Sequence, residues 1–275
     1  MNAVALSPIC PLYTAPSAAS PLADEVLCGW PLEVCEQPCP GWVRVRTDYR
    51  YEGYAPAAGL ILGAGPCRRW AEREQRVVLQ AAADVLDRPD VEGRRITTLF
   101  RGSLAAPLGG ELAEGWQALC LPDGREGYTR SDFLGPYYKT PPSTDPEDLR
   151  KRVIERARTY LGVQYRWGGK SPLGIDCSGL VFMAWRLNGV SLYRDAKIVE
   201  GYPVREIPRN ALAPADLLFF PGHVALYLGE GRYLHSTARS GSCGVVVNSL
   251  DPADGSFRPD LAERLTAVGS VFPLG

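Results

Sequence analysis

The fold is decided by one stretch of sequence, Tyr165-Arg-Trp-Gly-Gly-Lys-Ser-Pro-Leu-Gly-Ile-Asp176-Cys177-Ser178-Gly179-Leu180-Val181-Phe-Met-Ala-Trp185. A turn rich in glycine ends at Asp176, and apolar residues then recur with the 3.6-residue period of a buried helix. Asn188-Gly189 supplies a stop signal, so we predict a helix from Cys177 to Leu187. Cys177 then lies at a helix N-terminus, where unpaired N–H groups and the helix dipole are expected to lower its pKa and favour the thiolate.

The setting of Cys177 indicates a nucleophile. A free cysteine is most often a small buried hydrophobe, but this one lies between the polar residues Asp176 and Ser178. The chain contains two histidines, His223 and His235, and both lie in one downstream segment. A cysteine nucleophile needs a base within hydrogen-bond reach and a third group that orients the base. One cysteine and two histidines can provide the nucleophile, the base and the group that orients the base.

The two histidines are predicted on neighbouring antiparallel strands, because apolar runs around them are broken at glycine-containing turns. A three-residue loop at 229–231 pairs Ala225 with His235. It also pairs Leu228 with Arg232 and leaves both imidazoles on one face of the sheet. A four-residue loop would place them on opposite faces. We predict the shorter loop or an equivalent bulge.

Metal binding is the competing interpretation of a cysteine with two histidines. Zinc sites have closely spaced ligand pairs, and no cysteine forms such a pair with either histidine. We therefore expect neither a metal nor another cofactor.

Four segments resemble the NlpC/P60 cysteine peptidases, which have a papain-like fold and act on bacterial cell-wall peptides. They are Trp167-Gly168-Gly169, Asp176-Cys177-Ser178-Gly179-Leu180-Val181, Gly222-His223-Val224-Ala225 and Leu234-His235-Ser236. The resemblance covers roughly residues 145–275. It implies that Cys177 is the nucleophile, His223 the base and His235 the residue that orients the base. It also implies that Tyr165, twelve positions before the nucleophile, helps to hold the oxyanion; a core aromatic is the alternative.

The N-terminal half contains a repeat. Short Val-, Leu- and Tyr-rich runs in residues 8–65 and again in 75–135 predict two small β-barrels. Each copy has a Gly-Trp pair followed twelve positions later by Gly-Tyr: Gly41-Trp42 with Gly53-Tyr54, and Gly115-Trp116 with Gly127-Tyr128. This repetition indicates duplication of one fold. The pattern resembles bacterial SH3-like domains, which often accompany NlpC/P60 domains.

We therefore predict an α+β protein, with a papain-like NlpC/P60 domain preceded by two SH3-like barrels. The predicted segments are a first barrel at 1–66, a second barrel at 67–138, a linker at 139–148 and the catalytic domain at 149–275. An amphipathic helix from Leu149 to Leu161 opens the catalytic domain, with Val153, Ile154 and Ala157 on its apolar face.

Composition limits the partners. The net charge is −1, from 30 basic and 31 acidic residues, and no basic run stands out, which argues against nucleic acid. No stretch approaches the roughly 18 apolar residues of a membrane span, and the first residues lack the basic start of a signal peptide. We expect a cytoplasmic monomer with reduced thiols. The alternative is a secreted protein that has lost a signal peptide and carries disulfides.

The resemblance also implies a substrate. Residues 192–196, Leu-Tyr-Arg-Asp-Ala, look like the Arg-Asp segment of relatives that cleave γ-D-glutamyl bonds to a diamino acid in murein peptides. In those relatives the aspartate, with a Glu and a Tyr from the first SH3-like domain, meets the free ammonium of an N-terminal L-Ala. By position these roles fall to Asp195, Glu25 and Tyr54. Neighbouring alternatives in the barrel are Asp24, Tyr49, Tyr51 and Glu52.

Asp176 and Ser178 are expected to bind substrate backbone, to cap the helix, or to do both. Ala196 stands where the relatives often have serine, which removes one possible hydroxyl contact. A site built for an ammonium selects peptides with a free amine and rejects wall-anchored stems, whose L-Ala nitrogen is an uncharged amide.

The predicted function is a thiol endopeptidase for peptides such as L-Ala-γ-D-Glu-diamino acid, in recycling of cell-wall peptides. Three alternatives stay open because fold does not fix function. They are a secreted hydrolase of intact wall, a non-catalytic wall-peptide receptor, and an acyltransferase or amidase with another substrate.

Overall fold

The N-terminal part of the protein is built from two seven-stranded antiparallel sheets. The computed structural model describes residues 2–273, which divide into two compact units after Tyr137. The first sheet contains β1 (Asn2–Ala5), β2 (Ile9–Tyr13), β3 (Leu22–Leu27), β4 (Pro31–Cys39), β5 (Trp42–Thr47), β6 (Glu52–Pro56) and β7 (Leu60–Leu62). Helix α1 (Ala64–Ala71) follows. The second sheet contains β8 (Arg76–Val78), β9 (Ala82–Leu86), β10 (Arg95–Phe100), β11 (Leu104–Pro107), β12 (Trp116–Cys120), β13 (Glu126–Arg130) and β14 (Leu134–Pro136).

These two sheets repeat one topology, which confirms the predicted duplication. The strand orders are β3-β2-β6-β5-β4-β1-β7 and β10-β9-β13-β12-β11-β8-β14, the same order displaced by seven strands. The repeated glycines occupy equivalent positions, since Gly53 pairs with the fourth residue of β5 and Gly127 with the fourth residue of β12. A Cβ at Gly53 would lie 2.9 Å from the Leu12 side chain, and one at Gly127 would lie 2.6 Å from Val85. Glycine therefore permits the same close strand approach in both copies.

Helix α1 was not predicted, and the expected boundary between residues 66 and 67 falls inside it. Its buried residues are Cys67 and Trp70, and the indole N–H of Trp70 donates to the Gly29 carbonyl at 2.9 Å. The indole N–H of Trp30 donates to the Gly102 carbonyl at 2.7 Å, so side chains tie the two sheets together within the unit.

The C-terminal unit packs helices against a six-stranded antiparallel sheet. Its elements are α2 (Pro146–Arg158), β15 (Lys170–Ser171), β16 (Gly174–Ile175), α3 (Cys177–Arg186), β17 (Arg205–Ile207), β18 (Leu217–Phe220), β19 (His223–Gly229), β20 (Arg232–Thr237), β21 (Gly244–Ser249), α4 (Pro259–Ala262) and β22 (Ala267–Ser270). The sheet order is β17-β22-β18-β19-β20-β21, and β15 pairs with β16 separately. Helix α3 packs against α2, β19 and β20. This is the predicted α+β architecture.

Helices α2 and α3 test the helix boundaries that the sequence predicts. Helix α3 starts at Cys177 as predicted, and Leu187 is its C-cap. Helix α2 starts three residues earlier than predicted, because Asp145 caps it by accepting from the Glu147 N–H at 3.1 Å and Pro146 follows. It also ends earlier, so Leu161 is exposed instead of buried. Within residues 2–273, no helix combines the length and apolar character needed to cross a bilayer.

Candidate active site

Cys177 is the first residue of α3 and is 6% exposed. The backbone N–H groups of Ser178 and Val224 lie near its sulfur and lower the pKa of the thiol. Because Val224 directly follows His223, the start of β19 lies against the sulfur. The Cys177 N–H belongs to the first helical turn, whose N–H groups have no partner within the helix. The sulfur thus lies where the helix start and the histidine-bearing strand meet.

A buried ion pair fixes the turn before Cys177. Both guanidinium Nη atoms of Arg194 donate to the carboxylate of Asp176, each at 3.0 Å, and Arg194 is 1% exposed. The same carboxylate accepts from the Gly179 N–H at 2.6 Å and from the Gly168 N–H at 2.9 Å. Arg194 also donates to the Ser178 hydroxyl at 2.8 Å. Asp176 is therefore the N-cap of α3 and the centre of this network.

This network confirms the predicted helix cap and adds a residue that the sequence reasoning missed. Arg194 belongs to the segment 192–196, where the prediction concerned Asp195. Its position in the sequence does not predict a contact with Asp176, 18 residues earlier. The expected contacts of Asp176 and Ser178 with substrate stay predictions.

The register of β19 and β20 places the histidines as expected. Leu226 pairs with Leu234, which is the predicted register of Ala225 with His235. The predicted pair of Leu228 with Arg232 is wrong: Gly229 pairs with Arg232 instead. A shift between Tyr227 and Gly229 absorbs one residue, so a two-residue turn with a bulge replaces the three-residue loop. The bulge leaves the imidazoles on one face.

The two imidazoles form a hydrogen-bonded pair. His223 Nε2 lies 2.8 Å from His235 Nδ1, and the rings are nearly perpendicular, with an interplanar angle of 79°. His235 Nε2 in turn lies 2.9 Å from the side-chain oxygen of Asn248, a residue that the sequence reasoning missed. His235 is fully buried, whereas His223 is half-buried.

Burial keeps both imidazoles neutral. It lowers the pKa of His223 to about 3, with smaller contributions in the same direction from His235 and Arg258. It lowers the pKa of His235 to about 4, against the hydrogen bond that His235 donates to the Asn248 oxygen, which raises the pKa. At neutral pH each ring therefore carries a proton on one nitrogen and a lone pair on the other.

The thiol of Cys177 is also neutral in the substrate-free protein. Burial raises the pKa of Cys177 to about 11, and the charge of Asp176 acts in the same direction. The Val224 and Ser178 N–H groups and Arg194 lower that pKa but do not outweigh the burial. The predicted lowering of the Cys177 pKa by the helix N-terminus is therefore wrong for the resting state, because loss of water around the sulfur dominates.

Tyr165 lies near Asp176 and the nucleophile. Burial raises the pKa of Tyr165 to about 12, and the Asp176 carboxylate, together with the Cys177 sulfur whenever it is ionised, raises that pKa further. At neutral pH its hydroxyl keeps the proton that an oxyanion contact requires. The role itself stays a prediction.

Asp195 lines a pocket beside α3. The pocket also includes Ser178 and Val224, the two residues whose N–H groups reach the sulfur, together with Tyr193 and Lys197. The structure thus brings Asp195 into the surroundings of Cys177.

Glu25 and Tyr54 lie in the N-terminal unit, on β3 and β6, which both pair with β2. Glu25 is 3% exposed and Tyr54 is half-buried. Among the alternatives, the Tyr49 hydroxyl donates to the buried Asp24 carboxylate at 2.5 Å. The part of Glu25 and Tyr54 in substrate binding stays a prediction.

Comparison with known proteins agrees with this geometry. The NlpC/P60 family profile matches residues 162–252, and a profile described as the bacterial dipeptidyl-peptidase Sh3 domain matches residues 12–60. Dipeptidyl-peptidase 6 of Lysinibacillus sphaericus is 43% identical over 275 residues, covering 99% of this chain and 100% of that protein. The chain therefore belongs to the NlpC/P60 family of peptidases, with an N-terminal SH3-like region.

Two further relatives are informative. The γ-D-glutamyl-L-lysine dipeptidyl-peptidase of Bacillus subtilis (strain 168) is 34% identical over 103 residues, which cover 34% of each chain. The crystal structure of an NlpC/P60 family protein from Bacillus cereus ATCC 10987 has a TM-score of 0.80 at 19% identity, covering 99% of this chain and 100% of that one. The latter likeness concerns the fold alone.

Replacing Arg194 tests the ion pair before α3. Arg194→Met leaves the Asp176 carboxylate buried without its counter-ion, so we expect the free energy of unfolding to fall by about 3–5 kcal/mol. Urea denaturation measures this loss. The matched control is Arg152→Met, which breaks an exposed pair with Asp148 and should leave the urea midpoint nearly unchanged. Equal midpoints for the two variants would contradict a structural role for the Asp176–Arg194 pair.

The protonation state of Cys177 is testable by alkylation. We expect the iodoacetamide rate at Cys177 to rise steadily towards alkaline pH, because the thiolate is the reactive form and burial raises the pKa of the thiol. Mass spectrometry of the peptide that contains Cys177 measures the rate, and Cys177→Ala gives the background from the other cysteines. A rate that stays constant between about pH 5 and pH 8 would instead indicate a preformed thiolate–imidazolium pair.

Proposed function

We propose that the protein is a cysteine endopeptidase that hydrolyses the γ-D-Glu to diamino-acid bond of murein peptides with a free N-terminal L-Ala. The observation that carries the proposal is the sulfur of Cys177 at a helix start, against the strand of His223, with His235 hydrogen-bonded behind that base. The names of two relatives, a dipeptidyl-peptidase and a γ-D-glutamyl-L-lysine dipeptidyl-peptidase, support the reaction class.

The proposed reaction begins from the neutral pair. His223 takes the thiol proton on Nδ1, since its Nε2 is engaged with His235, while the sulfur of Cys177 attacks the γ-carbonyl carbon. The Cys177 N–H and the Tyr165 hydroxyl hold the resulting oxyanion, and each such donor contributes about 3–4 kcal/mol. This charge appears only when bonds are being made, so the site stabilises the transition state more than the bound substrate.

Collapse of the tetrahedral intermediate breaks the C–N bond. The His223 imidazolium gives its proton to the leaving amine of the diamino acid, and the acyl group stays on sulfur as a thioester. His223 then removes a proton from water as the water attacks the thioester. The second tetrahedral intermediate collapses as the C–S bond breaks and His223 returns that proton to the sulfur. L-Ala-γ-D-Glu is released, and the enzyme returns to its starting state with a free thiol.

Substrate selection in this proposal depends on the pocket that contains Asp195. The carboxylate of Asp195 supplies the opposite charge that an ammonium leaving water requires, and Glu25 and Tyr54 are proposed to complete the contacts. Apolar residues of the same pocket, including Leu192 and Val199, suit the methyl side chain of alanine.

Peptides with a free L-Ala amine arise after release from the wall, so we place the activity in cell-wall peptide recycling inside the cell. All eight cysteines are free thiols in the structure, which fits a reducing compartment. Hydrolysis of intact wall is the second candidate, favoured by the two SH3-like sheets, which in that case would bind the wall.

The test compares three substrates with the full chain. We expect release of the diamino acid from L-Ala-γ-D-Glu-Lys or its diaminopimelate form, and at least about 100-fold slower release from the N-acetylated peptide, because an acetylated amine carries no positive charge for the site to bind. Mass spectrometry measures both rates. Cys177→Ala should abolish release, and Asp195→Asn should narrow the difference between the two peptides. Equal cleavage of the two peptides would refute the ammonium site, and faster cleavage of sacculi would favour the wall hydrolase.

A further inference from the structure

We propose that Asn248 is a positioning residue that sets the tautomers of both histidines, so that the lone pair of His223 lies on Nδ1. Asn248 is on β21, where it pairs with Tyr233 of β20, and its side chain reaches His235. The inference deepens the proposed function, on which its kinetic part rests.

The orientation of the Asn248 amide follows from its partner at the other end. The amide nitrogen Nδ2 donates to the backbone carbonyl of Ser256 at 3.0 Å. A carbonyl only accepts, so the nitrogen of the amide must face Ser256 and the oxygen must face His235. The Asn248 side chain therefore presents an acceptor to the imidazole.

The Asn248 oxygen determines which nitrogen carries the proton in His235 and, through it, in His223. The oxygen of Asn248 can only accept, so the proton of His235 is on Nε2 and its Nδ1 carries the lone pair. The 2.8 Å contact between His235 Nδ1 and His223 Nε2 then needs the proton of His223 on Nε2. The remaining nitrogen of His223, Nδ1, is left with the lone pair that a general base requires.

The carbonyl of Ser256 is itself held in place. Asp254 accepts from both the N–H and the hydroxyl of Ser256, each at 2.8 Å, and its second oxygen accepts from Arg232 at 2.8 Å. The Ser249 N–H also donates to the Ser256 carbonyl, at 3.1 Å. The loop after β21 thus fixes the group that orients Asn248.

Without the Asn248 amide, the nitrogen that carries the proton in each imidazole is no longer fixed. His235 is then free to carry its proton on Nδ1, and His223 must respond by accepting on Nε2 and moving its own proton to Nδ1. In that tautomer His223 has no lone pair for the thiol. A histidine held in the wrong tautomer is known to reduce turnover strongly in serine proteases, by up to about 10⁴-fold.

The direct experiment is ¹⁵N NMR of the imidazoles, and it needs no substrate. The chain has two histidines, so Cys177→Ala protein labelled on histidine gives two ring systems that the His223→Gln variant assigns. We expect both rings of the parent to be neutral and protonated on Nε2. We expect Asn248→Leu, which keeps the size of the side chain and removes both hydrogen bonds, to show Nδ1 protonation. A Nδ1–H signal for either ring in the parent would overturn the proposal, whether or not the protein cleaves murein peptides.

The kinetic experiment uses the active enzyme and separates positioning from support of the fold. We expect Asn248→Leu to lower kcat at least about tenfold with KM little changed, and Asn248→Asp to recover most of kcat because the acceptor is kept. The control is Asn188→Leu, the same substitution at a buried asparagine just after the C-terminal end of α3, which removes a hydrogen bond to the Ala184 carbonyl at 2.9 Å and should leave kcat unchanged. Wild-type kcat for Asn248→Leu, or equal losses for the leucine and aspartate variants, would refute the positioning role.

The pH profile gives an additional signature. The histidine pair faces Arg258, Asp260 of α4 and the Asp176 carboxylate, and these charges are the same in all the variants. The new carboxylate of Asn248→Asp favours the imidazolium, so the acid limb of kcat/KM should move to higher pH. An unmoved acid limb in that variant would show that position 248 does not act on the imidazoles.

Discussion

The buried carboxylate of Asp176 is the interaction on which the rest of the catalytic unit depends. It ends the Gly-rich turn, caps α3 and takes both nitrogens of the Arg194 fork. Two charges removed from water are tolerated here because each has its hydrogen-bonding capacity filled by the other and by backbone N–H groups. The pair thereby sets where the first helical residue stands, and that residue carries the sulfur. The position of the Cys177 sulfur is thus set by Asp176, the residue before it.

The second constraint is the burial of the reactive groups. Burial acts in opposite directions on the two kinds of group, raising the pKa of Cys177 and lowering those of His223 and His235, and in both cases it favours the neutral form. The sulfur of Cys177 and the two imidazoles therefore carry no charge before substrate arrives. Charge develops only as the sulfur attacks, and the donors that meet it are already fixed in place. That step needs particular nitrogens of the two imidazoles to carry the protons. The Ser256 carbonyl determines which ones, because it orients the Asn248 amide.

Much of this arrangement was accessible from sequence because it depends on local patterns. The helix at Cys177 followed from a single apolar periodicity with a clear start and stop, and the register of β19 and β20 followed from glycines that require a turn. The duplication could be predicted because glycine recurs at equivalent positions, Gly53 and Gly127. At both positions a side chain would collide with a neighbouring strand. Arg194 and Asn248 could not be found in this way, since their partners lie 18 and 13 residues away, respectively, and reach them only through the folded chain. The Cys177 pKa was misjudged for a related reason: helix position is a local property, whereas desolvation belongs to the whole packed unit.

The protonation and burial of the Cys177 sulfur also affect how fast peroxide oxidises it. Peroxide attacks thiolates, and the first product, a sulfenic acid, forms slowly when the proton stays on sulfur and access is narrow. The burial of Cys177 therefore slows oxidation of its sulfur.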